Sequence, residues 1–493
     1  MQLSKLTKYL TDASIVRPGN AEIAGITYDS REVKPGWLFI AIKGGSFDGH
    51  NFINSAIESG AAAVLAERPI EDINVPCVVA PDGRKAMGEI AAPFFDYPTR
   101  KLKLIGVTGT SGKTTVTHLV QSIFNANGQL TGLIGTLGSR IGGELIETKH
   151  TTPESVDLQR TFADMLERGA TAACIEASSH GLYQGRTAGC EFDCGIFTNI
   201  ARDHLDFHGT VENYLDAKLI LFRDYPAKSQ KPFVAVVNAD DPAAGQVISA
   251  SPKAITFAVD SDADVKASNI RITDRSVRFD MAYSGQSVPI LLNIGGYFNV
   301  YNALAAGSAA LAMGLDLAAA AAGLLAACQV PGRFEFVDCG QDFGVIVDYA
   351  HTPDELENVL RTAKELTSKR LIVTFGCGGD RDTGKRPIMG KIAADLADVL
   401  VVTSDNPRSE DPELIIADIM AGIHEQDRGR AIIRPDRGEG IREAIMCAEQ
   451  GDVVVIAGKG HEDYQIFANR TIHFDDREAA REVLGCSRSQ PEK

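Results

Sequence analysis

No apolar run in the sequence reaches about 18 residues without a polar interruption, so no membrane-spanning helix is expected. The nearest candidate is the Ala-rich stretch 303–327, but Ser308, Asp316 and several glycines interrupt it, which favours buried helices. The N-terminus has no basic segment that leads into an apolar core, so no signal peptide is expected. These absences predict a cytoplasmic protein.

Two further shortages restrict the partners and the redox chemistry. The chain has 49 Lys and Arg against 65 Asp and Glu, which gives a formal net charge of -16. It therefore lacks the excess of basic residues that a nucleic-acid surface requires, although a local basic pocket can still bind a small anion. The nine cysteines are scattered and form no Cys-x-x-Cys pair. Reduced thiols are expected, rather than disulfides or a zinc site.

The length of 493 residues is too great for one hydrophobic core and indicates about three domains. Boundary signals divide them into 1–98, 99–331 and 332–493. Apolar strand-like runs alternate with helical patterns in the second and third blocks, which is typical of parallel sheets covered by helices. The predicted fold class is α/β: a smaller α/β N-terminal domain, a central parallel-sheet domain with a phosphate loop, and a C-terminal Rossmann-like, doubly wound domain. The predicted strands cover 23–29, 38–42, 63–66, 77–80, 102–108, 172–176, 194–199, 233–238, 254–258, 344–349, 370–375, 399–404 and 452–457, and the predicted helices include 52–60, 353–367 and 391–397.

A glycine-rich loop, 109–115 (GTSGKTT), follows the first strand of the second block and opens a helix. Backbone N–H groups of such a loop face phosphates, Lys113 can reach the β and γ oxygens, and Thr114 can bind Mg²⁺. The strict phosphate-loop pattern is missed by one position, because Val107 stands where its first glycine belongs. A chance Gly-Lys-Thr is the alternative, and the loop alone leaves ATPases, kinases and ligases open.

Two groups of polar residues follow later strands of the same block. Glu176 ends the strand 172–176, and a carboxylate at a strand end beside a phosphate loop is a suitable Mg²⁺ ligand. His204 lies in an Asp/His cluster after the strand 194–199, but histidine is a less usual ligand for Mg²⁺, and a hydrogen-bonded turn explains the cluster equally well. Lys218 is predicted on a helix, where the default interpretation is a solvated surface lysine.

Taken together, the motifs resemble the Mur ligase family, in the branch that acts on a UDP-N-acetylmuramoyl dipeptide. They occur in order through all three blocks, which makes a chance match implausible. The motifs are 106–115 (GVTGTSGKTT), 151–153 (TTP), 176–182 (EASSHGL), 198–206 (TNIARDHLD), 299–302 (NVYN), 330–333 (VPGR), 347–353 (VDYAHTP), 376–382 (GCGGDRD), 405–408 (DNPR) and 458–463 (GKGHED).

The resemblance implies an ATP-dependent amide-forming ligase of peptidoglycan precursor synthesis. ATP phosphorylates a carboxylate of the UDP-linked peptide, and an amino acid's amine attacks the acyl phosphate to give amide, ADP and phosphate. Mg²⁺ and Lys113 would neutralise the charge that develops between carboxylate and triphosphate. The implied partners are small molecules, with no nucleic acid, and the chain is expected to be a monomer.

The resemblance also implies roles for individual residues. Lys113, Glu176, His204 and Lys218 form the catalytic set, in which Thr114, Glu176, His204 and a carbamylated Lys218 bind Mg²⁺. The ATP contacts would come from Gly109, Thr110, Ser111, Gly112, Lys113, Thr114, Thr115, Asn299, Asn302, Arg333 and Asp348. The UDP-linked peptide would be held by Ser30, Thr151, Thr152, Ser178, Gln184 and Arg186. The loop 44–49 (GGSFDG) varies within the family, so its contacts to uracil stay open.

The motif 405–408 resembles the form found in relatives that add meso-diaminopimelate. This amino acid has a second carboxylate at its far end, and Arg408 can bind it through two parallel hydrogen bonds. L-Lysine lacks that carboxylate and would leave a buried Arg408 unpaired. A purely structural arginine in a turn is the alternative. The expected amino-acid contacts are Arg381, Asp405, Asn406, Pro407, Arg408, Gly458 and Glu462, with Glu462 taking the distal ammonium.

Other functions remain at this stage. The same ligase could add L-lysine, and a folylpolyglutamate-type ligase shares the phosphate loop and the amide chemistry. That enzyme needs neither a uridine-binding block of about a hundred residues nor the 405–408 motif. A phosphate-loop ATPase predicts hydrolysis without amino-acid dependence. An inactive scaffold is disfavoured by the intact set of Lys113, Glu176, His204 and Lys218.

Overall fold

In a computed structural model, the chain forms three successive α/β units, each with its own sheet. The structure describes residues 1–10, 12–44, 47–146, 148, 150–273 and 275–486. The α/β class predicted from the sequence is confirmed. None of the helices in these described ranges is long and apolar enough to cross a membrane.

The first unit is built on a five-stranded sheet in the order β1-β5-β4-β3-β2, in which only β1 runs antiparallel to its neighbour. The strand predicted at 63–66 is β4, with the same bounds. Contacts from this unit reach the second, where Tyr28 Oη donates to Asp157 Oδ2 at 2.6 Å. The elements are β1 (Ser14–Arg17), β2 (Gly25–Thr27), β3 (Trp37–Ile40), β4 (Ala63–Ala66), β5 (Cys77–Val79), α1 (Leu3–Leu6), α2 (Ile53–Glu58), α3 (Gly83–Phe94) and α4 (Pro98–Lys101).

The second unit contains, in the described residues, an eleven-stranded sheet in the order β16-β15-β14-β13-β12-β11-β6-β10-β7-β8-β9. Its centre is parallel, as predicted, and its core strands are buried on both faces. Its strands are β6 (Lys103–Thr108), β7 (Thr131–Gly135), β8 (Gly138–Ile141), β9 (Glu144–Ile146), β10 (Ala172–Glu176), β11 (Cys194–Phe197), β12 (Val234–Asn238), β13 (Ala254–Ala258), β14 (Val265–Ile272), β15 (Val277–Tyr283) and β16 (Gln286–Leu292).

Both edges of this sheet are antiparallel, which the sequence interpretation did not predict. The strands β14 to β16 alternate buried and exposed residues, so they lack the continuous apolar runs that mark the central strands. The helices are α5 (Lys113–Ala126), α6 (Ser155–Glu167), α7 (Ser179–Tyr183), α8 (Leu205–His208), α9 (Val211–Lys228), α10 (Ala244–Ala250), α11 (Phe298–Ala312) and α12 (Leu317–Leu325). The Ala-rich stretch forms α11 and α12, which confirms the prediction of buried helices.

The third unit has a six-stranded sheet in the order β17-β18-β22-β19-β20-β21, parallel except for β17. This is the doubly wound arrangement that the sequence predicted. Its elements are β17 (Glu335–Phe336), β18 (Gly344–Asp348), β19 (Leu371–Phe375), β20 (Val399–Val402), β21 (Ala431–Ile433), β22 (Val453–Ala457), a hairpin of β23 (Tyr464–Phe467) and β24 (Arg470–His473), α13 (Pro353–Leu366), α14 (Lys385–Leu396), α15 (Pro412–Ala421), α16 (Arg437–Met446) and α17 (Asp476–Val483).

One cysteine pair departs from the prediction of reduced thiols. Cys339 and Cys486 form a disulfide, with Cα atoms 5.6 Å apart. The prediction was wrong here because the two residues are 147 positions apart, and only folding brings α17 beside the segment after β17. The cysteines at 77, 174, 190, 194, 328, 377 and 447 are free.

Candidate active site

The phosphate loop lies between the end of β6 and the start of α5, as predicted. Gly109 and Gly112 both have positive φ, at 148° and 85°. A Cβ on Gly109 would overlap with Thr198 Oγ1, and one on Gly112 would lie 2.6 Å from Asn302 Oδ1. Both glycines are therefore required by backbone conformation and by close approach, and the loop is held open as a cradle at the N-terminus of α5.

Lys113 is the first residue of α5 and curls back over this loop. Its Nζ donates to the carbonyls of Gly109 at 3.0 Å and Thr110 at 2.7 Å. Burial lowers the pKa of Lys113, and the nearby carboxylates of Glu176 and Glu355 oppose that shift. The ammonium therefore lies against the loop carbonyls, in the cavity that the loop lines.

Glu176 ends β10 and lies beside the loop because β10 pairs with β6, with Glu176 opposite Val107. Its carboxylate is buried and accepts hydrogen bonds from Thr114 Oγ1 at 3.1 Å, Thr136 Oγ1 at 3.1 Å and the Thr136 amide at 2.8 Å. The predicted pair of Thr114 and Glu176 is thus brought into direct contact.

Lys218 differs from the interpretation that its sequence context favoured. It lies on α9, as predicted, but it is 1% exposed rather than solvated. Its Nζ donates to the Gly109 carbonyl at 2.8 Å and lies 4.0 Å from the ring centre of Tyr214. Burial, together with the charge of Lys113, lowers its pKa well below the ordinary value. Helical periodicity did not reveal this because α9 packs against α7 and the loop as well as the core.

His204 follows β11 and has a left-handed backbone, with φ of 52°. Its Nε2 lies 3.3 Å from Asp203 Oδ2, and its ring centre lies 4.7 Å from that of His180. Burial lowers the pKa of His204. Residues other than glycine rarely adopt this backbone conformation, and those that do are often found at functional sites.

These side chains share one cavity of about 200 Å³. The predicted residues on its wall are Gly109, Thr110, Ser111, Gly112, Lys113, Thr114, Thr115, Thr151, Glu176, Ser178, His204, Lys218 and Arg333. Across the described residues, no three His, Cys, Asp or Glu side chains form a metal-binding cluster. The donor set still suits Mg²⁺, since this ion is commonly held by one or two carboxylates together with substrate phosphates and water.

A second cavity, of about 410 Å³, adjoins the loop and is lined mainly by aromatic and amide side chains, among them Phe257, Tyr297 and Tyr301. Asn302 and Asp348, two of the residues predicted to contact ATP, also line it. Asn299 lies behind Asn302 and accepts a 2.8 Å hydrogen bond from its amide group.

The third unit reaches into this site through Arg333 and Asp348. Arg333 donates to Thr114 Oγ1 at 3.2 Å, and its guanidinium lies 4.5 Å from the ring centre of Tyr349. Asp348 accepts from the amides of Phe334 and Ala350 at 2.6 and 2.7 Å, and burial raises its pKa to about 6. The two residues connect the phosphate loop to the end of β18.

Glu355 is a site residue that the sequence interpretation missed. Its carboxylate accepts from Ser111 Oγ at 3.2 Å and from the His351 amide at 3.2 Å, so it joins the third unit to the phosphate loop. The sequence signal at this position is the Thr352-x-x-Glu355 pattern, which is typical of a helix capping box. That local pattern gave no indication of a contact 244 residues away.

Four of the residues predicted to hold the UDP-linked peptide, Thr151, Thr152, Ser178 and Arg186, form hydrogen bonds near Glu176. Thr152 Oγ1 bonds to the Glu176 carbonyl and to Ser178 Oγ, both at 2.8 Å. Arg186 donates to the Thr152 carbonyl at 3.1 Å. The buried Gln184 Oε1 has no hydrogen-bond partner among the described residues. Thr151 Oγ1 lies 3.2 Å from Thr136 Oγ1.

The residue and the loop predicted to lie at the uridine end of the substrate, Ser30 and 44–49, belong to the first unit. Ser30 begins the 3-10 turn Ser30–Glu32, which Asp29 caps by accepting from the Arg31 amide. In the loop 44–49, residues 45 and 46 lie outside the described residues. Phe47 is 74% exposed, and Asp48 caps the following turn.

The third cavity, of about 790 Å³, lies between the second and third units. It extends from His204 to the ends of β19, β20 and β22, where the predicted amino-acid residues lie. Those on its wall are Arg381, Asp405, Asn406, Arg408, Gly458 and Glu462, while the Pro407 carbonyl packs against Gly379.

Arg408 is held by its backbone as well as its side chain. It has φ of 52°, its amide donates to the Ile466 carbonyl at 3.0 Å, and Nη1 donates to the Gly379 carbonyl at 2.8 Å. Glu462 accepts from the Asn406 amide group at 2.9 Å. An arginine and a carboxylate therefore share one wall of the cavity.

A phosphate-binding loop on one unit, facing a charged cavity on the next, is the arrangement of an enzyme that couples a nucleotide to a second substrate. Family models match along most of the chain: the Mur ligase family catalytic domain at residues 22–95, the Mur ligase middle domain at 107–310, and the Mur ligase glutamate ligase domain at 332–460. The chain belongs to the Mur ligase family, whose members are ATP-dependent amide-forming ligases.

Individual relatives are similar along nearly their whole length. A UDP-N-acetylmuramoyl-L-alanyl-D-glutamate--2,6-diaminopimelate ligase of Geobacillus thermodenitrificans is 47% identical over 488 residues, covering 98% of this chain and 99% of that one. One of Listeria monocytogenes is 47% identical, with coverage of 93% and 94%. A solved structure of a ligase with the same name is 38% identical, with a TM-score of 0.68 and coverage of 94% and 95%.

Proposed function

We propose that this chain uses ATP to join meso-2,6-diaminopimelate to UDP-N-acetylmuramoyl-L-alanyl-D-glutamate in peptidoglycan precursor synthesis. The observation that carries the choice of amino acid is the presence of Arg408 and Glu462 on one wall of the cavity facing the phosphate loop. Diaminopimelate presents a carboxylate and an ammonium at its distal end, which match these two side chains. The names of the relatives at 47% identity support the same assignment.

In the activation step, ATP would lie with its base in the 410 Å³ cavity and its phosphates on the loop. Lys113 would bind the phosphate oxygens, and Arg333 would bring the third unit over them. The γ-phosphoryl group passes to the peptide carboxylate and leaves ADP. Both residues stabilise the negative charge that accumulates between the two anions.

In the second step, the amine of the amino acid attacks the acyl phosphate and expels phosphate. Arg408 would hold the distal carboxylate and Glu462 the distal ammonium, which leaves the other end of the molecule directed at the phosphate loop. Asp405, Asn406 and Gly458 shape the wall between them. Closure of the third unit over this site excludes the water that would otherwise hydrolyse the acyl phosphate.

Mg²⁺ would be held by Thr114, Glu176, His204 and a carbamylated Lys218, and when bound it neutralises phosphate charge. Support for the carbamate comes from the contacts of Lys218. This buried ammonium donates to a carbonyl rather than to a carboxylate, so conversion to an anion would place a ligand in the cavity that Glu176 also lines, without breaking an ion pair.

The division of labour follows the three units. Residues 1–98 would bind the uridine end, 99–331 the ATP and the peptide, and 332–493 the incoming amino acid. Ser30, Thr151, Thr152, Ser178, Gln184 and Arg186 would hold the UDP-linked peptide, directly or through one another. We expect the enzyme to act as a monomer in the cytoplasm.

Amino-acid dependence of phosphate release tests the proposal. Purified protein with ATP, Mg²⁺ and the UDP-linked dipeptide should release phosphate strongly with meso-diaminopimelate and weakly with L-lysine. Arg408→Lys should raise the KM for diaminopimelate about 10- to 100-fold, since one bidentate charged contact is lost, and leave the KM for ATP unchanged. Equal turnover with L-lysine, or release that needs no amino acid, refutes the assignment.

The carbamate has its own test. Lys218→Ala should abolish a dependence of activity on CO₂, and small carboxylates should partly restore turnover. Mass spectrometry of the intact wild-type protein in bicarbonate should show a mass increase that Lys218→Ala lacks. Unchanged activity in Lys218→Ala would end this role.

A further inference from the structure

Lys459 is a buried cation behind the wall of the 790 Å³ cavity between the second and third units, which we call the amino-acid cavity. It follows β22, and its side chain is 0% exposed. Its Nζ donates to Glu462 Oε2 at 3.0 Å and to Asn406 Oδ1 at 3.3 Å, and it lies 5.3 Å from the ring centre of Tyr464. Full burial keeps this ammonium from touching an amino acid in the cavity, so any effect on binding must pass through its partners.

Those partners are themselves fixed by a network that joins two loops. The Asn406 amide group donates to Glu462 Oε2 at 2.9 Å, while its Oδ1 accepts from the Ile466 amide at 2.9 Å. Glu462 Oε2 thus receives two donors, one from Lys459 and one from Asn406. Glu462 Oε1 has a weaker contact, 3.4 Å from Tyr349 Oη, and is the oxygen left to accept from an ammonium in the cavity.

The charge of Lys459 also determines what the wall presents to a ligand. With Lys459 behind it, Glu462 belongs to a neutral ion pair, and Arg408 beside it contributes the positive charge that a carboxylate needs. The distal end of diaminopimelate is zwitterionic and suits such a wall. The distal end of L-lysine is a lone cation and would be favoured by an uncompensated carboxylate.

From this geometry we infer that Lys459 is a positioning residue that sets the choice of amino acid. It orients Glu462 so that a single oxygen faces the cavity, and it cancels the charge that would otherwise attract a lone distal ammonium. The inference rests on the proposed addition of diaminopimelate and extends it to a residue outside the cavity wall.

The test compares Lys459→Met with wild type in phosphate release, with meso-diaminopimelate and L-lysine as alternative substrates. The KM for diaminopimelate should rise about tenfold, as expected for the loss of a charged hydrogen bond that fixes its partner. The kcat/KM ratio of diaminopimelate to L-lysine should fall about tenfold or more, and the KM for ATP should stay at the wild-type value. A rise in the KM for ATP alongside that for diaminopimelate, or an unchanged kcat/KM ratio of diaminopimelate to L-lysine, overturns the inference.

Lys231→Met is the matched control. Lys231 is another largely buried, ion-paired lysine, 14% exposed and bound to Asp193, but it lies in the second unit against the carbonyls of Thr99 and Leu102. Its loss should lower the unfolding temperature and leave the amino-acid ratio unchanged. A ratio that falls equally in this variant would assign the effect to general destabilisation.

Lys459→Gln keeps a donor for Asn406 but removes the charge, and it decides the question if Lys459→Met does not fold. Its amino-acid ratio should fall, and an unchanged ratio refutes the role of the charge. Wild type that ignores diaminopimelate would end the proposed function together with this inference. Wild type that uses diaminopimelate, with Lys459 variants that keep the ratio, would end the inference alone.

Discussion

Buried cations line the 200 Å³ cavity at the phosphate loop, here called the phosphate cavity, and others lie behind the wall of the amino-acid cavity, but the two sets are held in opposite ways. Lys113 and Lys218 donate to backbone carbonyls of the phosphate loop, which are neutral acceptors. In the third unit, Lys459 and Arg437 are bound to the carboxylates of Glu462 and Asp476. The difference would suit the proposed ligands. The triphosphate needs the uncompensated charge of Lys113, and Lys218 has no carboxylate partner to lose if it becomes a carbamate. In the third unit, the Lys459–Glu462 pair leaves Arg408 as the positive charge for the distal carboxylate of the amino acid.

The two modes of burial also differ in what they cost the fold. An unpaired buried ammonium is destabilising, and the lowered pKa of Lys113 and Lys218 reflects this. A paired buried cation stabilises local geometry. Arg437 shows this by donating to the carbonyls of Ser404 and Ala457, which precede the two loops of the amino-acid site.

The largest expected effect comes from breaking a paired cation. Asp476→Asn leaves the fully buried Arg437 without its carboxylate and should destabilise the third unit by about 3–5 kcal/mol. Chemical denaturation followed by far-UV circular dichroism measures the loss. Lys391→Met removes an exposed ion pair with Asp395 and should cost less than about 1 kcal/mol. Equal losses in the two variants would show that Arg437 does not anchor the strand ends.

An unpaired cation should respond in function rather than in stability. Lys113→Met should reduce kcat for phosphate release by about 10²–10³-fold, as expected when a charge-stabilising group is lost. Its unfolding free energy should stay equal or rise, because a desolvated charge is removed. Steady-state kinetics and denaturation measure the two quantities. Nearly wild-type turnover, or marked destabilisation, would break the comparison between the cavities.

Asp348 lines the 410 Å³ cavity beside the phosphate loop, and its substitution is expected to have the smallest effect. Burial raises its pKa to about 6 from an ordinary value of 3.8, so the folded state binds more protons than the unfolded state between these values. The contribution of Asp348 to stability is therefore present below the lower value and is lost as pH rises through about 6, by up to about 3 kcal/mol. Asp348→Asn should remove this part of the pH dependence of the unfolding free energy. Parallel pH profiles for wild type and variant would contradict the assignment.

Much of the fold could be predicted from the sequence, because central parallel strands are continuous apolar runs bounded by glycine and polar residues. The strands β4, β10 and β13 have the predicted bounds. The antiparallel edges of the second unit were not predicted, because their half-exposed alternation is weak beside the central runs.

The candidate site divides in the same way. The sequence by itself determined the phosphate loop, since glycine conformation, a lysine and a helix start are adjacent in the chain, and its motifs determined the family. The tertiary structure decided that Lys218 is buried, that Glu355 meets Ser111, and that Lys459 stands behind Glu462. Burial and charge pairing depend on packing between segments far apart in the chain, so a local sequence pattern cannot predict them.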